Sequence, residues 1–391
     1  MSRPLRLLTL GHSYVVGTNR LLADAMAAEG AGEWEVTAVA PAAFPGDLGP
    51  LHAAPLHGER CGLRTVPVHF PRPIHAMLYG RALRRVLAEG WDVVHCWEEP
   101  YVAAAAQVAR WTPAGAALVF ASFQNLPKRY PPPFRWLERY AMRRADGWIA
   151  FGKTVRETLA GRPEYAPVPH AVIPPGVDTG RFRRDACAGA AVLRSLGWEV
   201  DGVPVIGYLG RFVEAKGLRV MMRALDALDR PWRALFAGGG TMEGELRAWA
   251  AGRDHVRVAT GVGHAAVPGW LSAMDVLCAP SLTTAAWREQ FGRMLVEAFA
   301  CGVVVVASDS GEIPHVVGDA GLLVAEGDPA ALAAVLGALI ANPGRRSELA
   351  AAGLRRAETE FSTTVAARRH LAFFRDVLRA RAHRGTETSG R

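Results

Sequence analysis

No CxxC pair occurs among the five cysteines of this 391-residue chain. Cys61, Cys96, Cys187, Cys278 and Cys301 are scattered and odd in number, which argues against a disulfide framework or a zinc ribbon and fits a reducing compartment. No D-x-D pair and no HExxH spacing appears, so a metal held by the protein is not expected and the cofactor expectation is none. A GxSxG nucleophile elbow is also missing, which disfavours a serine hydrolase. Long hydrophobic runs are lacking: Trp111 to Pro127 is free of charge but holds Pro113 and Gly115, and falls short of the ~20 apolar residues a spanning helix needs. The opening MSRPLRLLTLGHSYVV has too short an apolar run for a signal-peptide core and no small-residue cleavage site. The expectation is a cytoplasmic protein, soluble or peripheral on the inner face of a membrane.

What is present is a chain half apolar, long enough for two domains with sizeable cores. Its net charge of +8 favours anionic partners, and composition does not choose among nucleotides, phosphorylated substrates, nucleic acid and a membrane surface. Short β-rich runs alternate with helical patterns: LRLLTLG, the amphipathic NRLLADAMAAEG, WEVTAVAP, WDVVHCW, AALVFASF and GWIAFG. Alternation of this kind predicts βαβ units around a parallel sheet. After HAVIPPGVD the rhythm starts again, through PVIGYLGR, WRALFAGGG, VRVATG, VLCAPS and VVVVASD. Two wound α/β halves follow, with Pro174 and Pro175 as the joint, because prolines exclude helix there. The division expected is residues 1–173, residues 174–360, a helix over 361–382 closing the second domain, and a polar tail over 383–391.

Three stretches of the second half can carry chemistry. In GYLGRFVEAKGL an apolar strand runs into Arg211 and Lys216, and strand ends in open α/β sheets face the ligand crevice, so both cations could reach a diphosphate. Two solvated cations on a loop would look the same. The GGG around Gly239 follows a strand and precedes a helix; it can bring backbone N–H groups to a phosphate or simply make a tight turn. In WREQFGRMLVEAFACG, Phe291-Gly292 leads into a helix that stops at Gly302. Gly292, Arg293 and Met294 would then turn their N–H groups toward an anion. Glu297, inside the first turns, can accept two hydrogen bonds from vicinal hydroxyls, while Glu289, held before the helix, is free to face another part of the ligand.

In this order, IPPGVD, GYLGRFVEAKGL, FAGGGTMEGEL, EQFGRMLVEAFACG and SDSGEIPHVVGDAGLLV resemble the GT-B-fold retaining glycosyltransferases of family four, strongly over residues 170 to 360 and more loosely before. The resemblance implies an α/β fold of two Rossmann-like, doubly wound domains facing each other across a cleft, the first binding the acceptor and the second a nucleotide-sugar. It implies Arg211 and Lys216 as diphosphate ligands, Glu297 as the ribose ligand and Glu289 as the carboxylate set against the donor sugar, with Phe291, Gly292, Arg293 and Met294 lining the sugar or distal phosphate. Further candidate contacts are Gly17 in the first loop, which reads GHSYVVGTNR, His95 in DVVHCWEEP, Gly239, and Gln124, which stands in FASFQN where many members carry a histidine. The implied activity is metal-independent transfer of a sugar from a nucleoside diphosphate sugar to an acceptor hydroxyl, in polysaccharide, glycolipid or other glycoconjugate synthesis. A sugar phosphorylase, a nucleotide-sugar epimerase and, from another class, a two-domain solute-binding module are the alternatives. Nucleic acid is not among the expected partners.

One segment of the first half stands apart. PKRYPPPFRWLERYAMRR carries six cations (Lys128, Arg129, Arg135, Arg139, Arg143, Arg144) against Glu138 alone, with Tyr130, Phe134, Trp136 and Tyr140 interleaved. Either Phe134, Leu137, Tyr140 and Ala141 form a packing stripe with the arginines merely solvated, or the segment lies on an anionic membrane surface or grips an anionic acceptor.

Overall fold

A computed structural model describes residues 3–46 and 49–389. The chain forms two compact units. One takes the residues up to Gly176 together with the segment from Thr363 onward, and the other runs Val177–Ser362.

The first unit is built on seven strands: β1 Leu5–Leu10, β2 Trp34–Pro41, β3 Gly62–Val66, β4 Val93–Cys96, β5 Ala117–Ser122, β6 Gly147–Ala150 and β7 His170–Val172. They lie in the order β7-β6-β5-β4-β1-β2-β3, and every pairing is parallel. The chain therefore starts in the middle of the sheet, winds to one edge, returns across its start and winds to the other. Side chains alternate between two cores: Leu8 and Leu10 join one with Leu118 and Phe120, while Leu7 joins the other with Val36 and Val119. Both faces are covered, which is why these strands read as continuous apolar runs rather than alternating ones. Helix α1 is Leu21–Glu29 and α2 is Phe134–Arg144. Two short antiparallel ladders, Ala43–Pro45 with Pro50–His52 and Val68–His69 with Leu78–Tyr79, were not foreseen from the pattern.

The second unit repeats the plan with β8 Val205–Arg211, β9 Arg233–Gly239, β10 Val256–Thr260, β11 Val276–Ala279, β12 Val304–Ser308 and β13 Leu322–Val324. Their order is β10-β9-β8-β11-β12-β13, again all parallel. The VVVVAS run supplies β12, buried along its whole length. Helix α3 is Arg293–Ala300 and α4 is Thr363–Ser389.

Two expectations are corrected. The terminal helix does not close the second domain. Ala367, Leu371, Phe374 and Val377 of α4 pack into the first unit's core beside Leu7 and Trp34, and Arg368 and Arg375 bond Glu29 and Glu33 at 2.6 Å each. An amphipathic stripe dictates that a helix must pack; which sheet it finds depends on where the chain returns. The helix also runs on to Ser389 through most of the stretch expected to be a tail, whose last two residues lie outside the described residues. The second correction concerns α2, whose buried residues are Glu138, Ala141 and Met142, while Tyr140 remains 43 % exposed and Trp136 61 %. The segment's single acid is inside because its carboxylate takes hydrogen bonds from Arg162 at 2.7 Å and the Tyr165 hydroxyl at 2.9 Å.

Candidate active site

In the second unit the strand order reverses between β8 and β11, and beyond the carboxyl ends of such strands a wound sheet opens a ligand crevice. Arg211 is the last residue of β8, with its side chain exposed and its carbonyl taken by the Tyr208 hydroxyl at 2.7 Å. A single turn over Glu214–Lys216 then carries Lys216 under cover, 8 % exposed. Facing it from the loop after β11 is Glu289, 7 % exposed. The Lys216 ammonium donates to one Glu289 carboxylate oxygen, and the Ser281 hydroxyl donates to the same oxygen at 3.3 Å. The ammonium also stands 4.7 Å from the centre of the Trp287 ring. The two residues expected to touch separate parts of a ligand are thus joined to each other, because a charge this enclosed needs a counter-charge.

The loop that carries Glu289 is held from behind. Its carbonyl accepts the Glu312 N–H at 3.1 Å. Gly311 has φ 58°, and a Cβ there would stand 2.2 Å from the same carbonyl oxygen, so only glycine lets the two loops meet. Thr283 ties the far side, its hydroxyl bonded to Glu326 at 2.5 Å and to Ser310 at 2.9 Å.

Gly292, in the left-handed region at φ 78°, turns the chain into α3. Leu295 N–H closes on the Gly292 carbonyl at 2.8 Å, which leaves the amides of Arg293 and Met294 without acceptors in the helix, at its positive end. Arg293 is exposed and Met294 half-buried. Glu297 lies half-buried within the helix, and its carboxylate accepts no hydrogen bond from any described residue. Burial pushes its carboxyl above the usual range, against the pull of Arg293, His264 and Arg181. Phe291 is 6 % exposed, its ring 5.8 Å from Phe361, and packs with the second unit's core. Gly239 ends β9 half-exposed, its carbonyl taken by Phe212 N–H at 2.8 Å.

The candidates of the first unit divide. Gln124, after β5, is buried and donates to the carbonyls of Leu126 and Lys128 at 3.3 and 3.4 Å, leaving its carbonyl oxygen enclosed and unpartnered. Gly17 lies in a turn against Leu56, whose Cδ2 would be 2.4 Å from an added Cβ. His95 is a correction. It lies inside β4 with no exposed surface, among Trp97, His370 and Phe374, and burial pushes its pKa well below the ordinary value. The strand ends one residue later, at Cys96, and half-buried Trp97 follows, so the ring stays enclosed by the chain around it.

Ser281, Trp287, Gly311 and Glu312, which fix the Lys216–Glu289 pair, were missed from sequence. Signals existed in the strand-end Pro-Ser, the tryptophan two residues before Glu289, and the SDSGE turn. Among the described residues no group of three or more His, Cys, Asp or Glu is placed to hold a metal.

Comparison with known proteins bears on the family and the fold. Residues 18–181 match Glycosyltransferase Family 4 and residues 203–342 match Glycosyl transferases group 1. A D-inositol 3-phosphate glycosyltransferase of Xylanimonas cellulosilytica is 38 % identical over 226 residues, 54 % of this chain and 52 % of the relative, so the chain spans about half the length of that protein. A lipopolysaccharide core biosynthesis mannosyltransferase of Rhizobium meliloti is 30 % identical, over 61 % of this chain and 71 % of its own. The fold matches a sucrose-phosphate synthase of Thermosynechococcus elongatus at TM-score 0.73 and 20 % identity, covering 96 % of this chain and all of that one, a GT-B architecture. With both halves matched in order, and a relative covered over more than two thirds of its length, the chain belongs to the group 1, family four glycosyltransferases.

Proposed function

We propose that the protein transfers a sugar from a nucleoside diphosphate sugar to an acceptor hydroxyl, with retention at the anomeric carbon and without a protein-held metal. The observation that carries this is the gathering, at the switch point of the second unit, of Arg211, the Lys216–Glu289 pair and the amino end of α3 with Glu297. The transition state builds negative charge on the leaving diphosphate and positive charge on the sugar ring. Arg211, the Lys216 ammonium and the amides of Arg293 and Met294 act on the first charge, and Glu289 on the second. Lys216 has three donors, so it can keep Glu289 and still give a hydrogen bond to a phosphate oxygen. Glu297, without a partner of its own, takes the vicinal hydroxyls of the ribose. The leaving phosphate receives the acceptor proton, which leaves no role for a protein nucleophile. The test is incubation with a panel of nucleoside diphosphate sugars, with and without EDTA, reading nucleotide release and the anomeric configuration of the product by NMR. Phosphate-dependent release of a sugar 1-phosphate, epimerised donor, or activity restored by manganese after chelation would refute the corresponding part.

The acceptor side of the proposal rests on α2. Trp136 and Tyr140 lie one turn apart and exposed, beside exposed Arg135 and Arg143. That combination suits the surface of an anionic membrane, where each cation contributes ~1 kcal/mol. No helix among the described residues is long and apolar enough to cross a membrane. The protein is accordingly proposed to act from the cytoplasmic side, on a lipid-linked or polymeric acceptor. Wild type should float with liposomes containing anionic lipid at low salt, and a variant with Arg135, Arg139 and Arg143 changed to Glu should not. Wild type that sinks at every salt concentration refutes the membrane and favours a soluble acceptor.

A further inference from the structure

The first unit carries, at its own switch point, a second pairing of a basic side chain with a buried carboxylate. Its strand order reverses between β1 and β4, whose last residues, Leu10 and Cys96, lie side by side. Beyond them the chain places His12 on one side and Glu98 on the other. The Glu98 side chain is 1 % exposed. It accepts the His12 backbone N–H at 2.6 Å, the His12 ring at Nδ1 at 2.7 Å and the Tyr79 hydroxyl at 2.6 Å. Tyr79 is fixed in turn by Gln107, through bonds of 2.7 and 2.8 Å to its backbone. With the carboxylate accepting from all three, a ring proton stands on Nδ1, and in its neutral form the imidazole presents a lone pair at Nε2. The His12 side chain is 34 % exposed, and Nε2 bonds to no described residue.

The groups facing this ring are Glu98 from the end of β4, with the Tyr79 phenol behind that carboxylate, and the apolar Phe44 ring, 5.5 Å away. Charge decides what it can bind. A protonated His12 beside Glu98 makes a pair with no net charge, a poor anchor for a phosphate. The neutral ring offers one directed acceptor, which suits a hydroxyl. Burial works to lower the imidazole pKa, and the Glu98 hydrogen bond and charge outweigh it, leaving it above the ordinary value.

We infer that His12, oriented by Glu98, binds a hydroxyl of the acceptor, a sugar or polyol, through Nε2. This deepens the transferase proposal and rests on it. Two variants separate binding from mere packing. In His12→Asn the amide nitrogen stands where Nδ1 stood and keeps the bond to Glu98, with nothing at the Nε2 position. In His12→Gln the polar end reaches the Nε2 position. The probes are a nucleoside diphosphate sugar and a panel of cyclitols, hexoses and methyl glycosides. The acceptor KM should rise at least tenfold in His12→Asn and less in His12→Gln, while donor hydrolysis in the absence of acceptor stays within twofold of wild type in both. Glu98→Gln, which frees the tautomer, should shift the acidic limb of the acceptor kcat/KM profile to lower pH. An unchanged acceptor KM in His12→Asn, or equal loss of donor hydrolysis, overturns the inference and leaves the transferase proposal standing. If wild type consumes no donor at all, that proposal fails instead, and imidazole 15N spectra decide this one. The panel at millimolar concentration should move the His12 Nε2 resonance, assigned by its loss in His12→Asn, and a resonance that stays put overturns it.

Discussion

Breaking the Lys216–Glu289 pair from one side should cost far more than removing it whole. Both groups are nearly enclosed, and a buried charge stripped of its partner typically costs roughly 3–5 kcal/mol, whereas replacing both partners with apolar side chains is close to neutral. Lys216→Met takes the ammonium from Glu289, whose carboxylate keeps the 3.3 Å hydrogen bond from Ser281, and also gives up the contact with Trp287, a cation–π interaction of ~1 kcal/mol. Glu289→Leu leaves the ammonium against the ring alone. For a unit of this size each kcal/mol lowers the melting point by roughly 2–4 °C, so either single variant should lower the second unit's transition by roughly 6–20 °C. The double variant should recover most of that, with a coupling energy of at least about 2 kcal/mol. The measurement is urea denaturation followed by tryptophan fluorescence, fitted with separate transitions for the two units, since one two-state curve is not expected of two cores. A coupling below about 0.5 kcal/mol, the value of a solvated surface pair, would refute the claim that burial governs this interaction.

Glu297→Ala should weaken nucleoside diphosphate binding by about 10–100-fold, the loss of a charge-assisted hydrogen bond of ~1.5–3 kcal/mol, with the urea midpoint unchanged or raised because a carboxylate penalised by burial is gone; calorimetric titration checks the first and denaturation the second. Gly311→Ala should destabilise the second unit by more than about 2 kcal/mol and lower donor turnover, since both a left-handed backbone and the Glu289 carbonyl at 2.2 Å oppose a side chain; urea melts and a turnover assay read the two effects. Burial lowers the pKa of His370 to about 4, below its ordinary value of 6.5, so the folded state binds fewer protons than the unfolded one between those values. Stability is therefore full above pH 6.5 and falls toward pH 4, by ~2 kcal/mol at pH 5 from this residue alone. His370→Leu should flatten the dependence of the first unit's urea midpoint on pH, and an unchanged slope would contradict the assignment.

The wound α/β plan was legible because fully covered strands must be apolar along their whole length, and VVVVAS or ALVFAS can hardly be anything else. The placement of the second unit's candidate residues was legible for a related reason: a strand end fixes where Arg211 emerges, and Gly292 marks where α3 begins. What escaped was the joining of groups far apart in sequence. Lys216 and Glu289 are 73 positions apart, and nothing local to either announces the other. In DVVHCWEEP the sequence does not say at which residue the strand stops. The sheet ends at Cys96, so that His95 is sealed inside the strand while Glu98, itself buried, lies just beyond it and meets the His12 ring. The same limit applies to α4, whose stripe is plain and whose partner is not.

The excursion of the chain into the second unit and back has a consequence for synthesis. Between Gly176 and Thr363 the growing polypeptide completes an entire unit while the earlier sheet still lacks its last helix. At roughly 5–20 residues per second that interval lasts on the order of 10–40 s, during which Leu7, Trp34 and His95 face water instead of Leu371 and Phe374. The half made later is thus the first able to finish folding, and the half made first waits, with an apolar face uncovered, for the final segment to leave the ribosome. A nonsense mutation in the last helix would damage the amino-terminal unit while sparing the one encoded beside it.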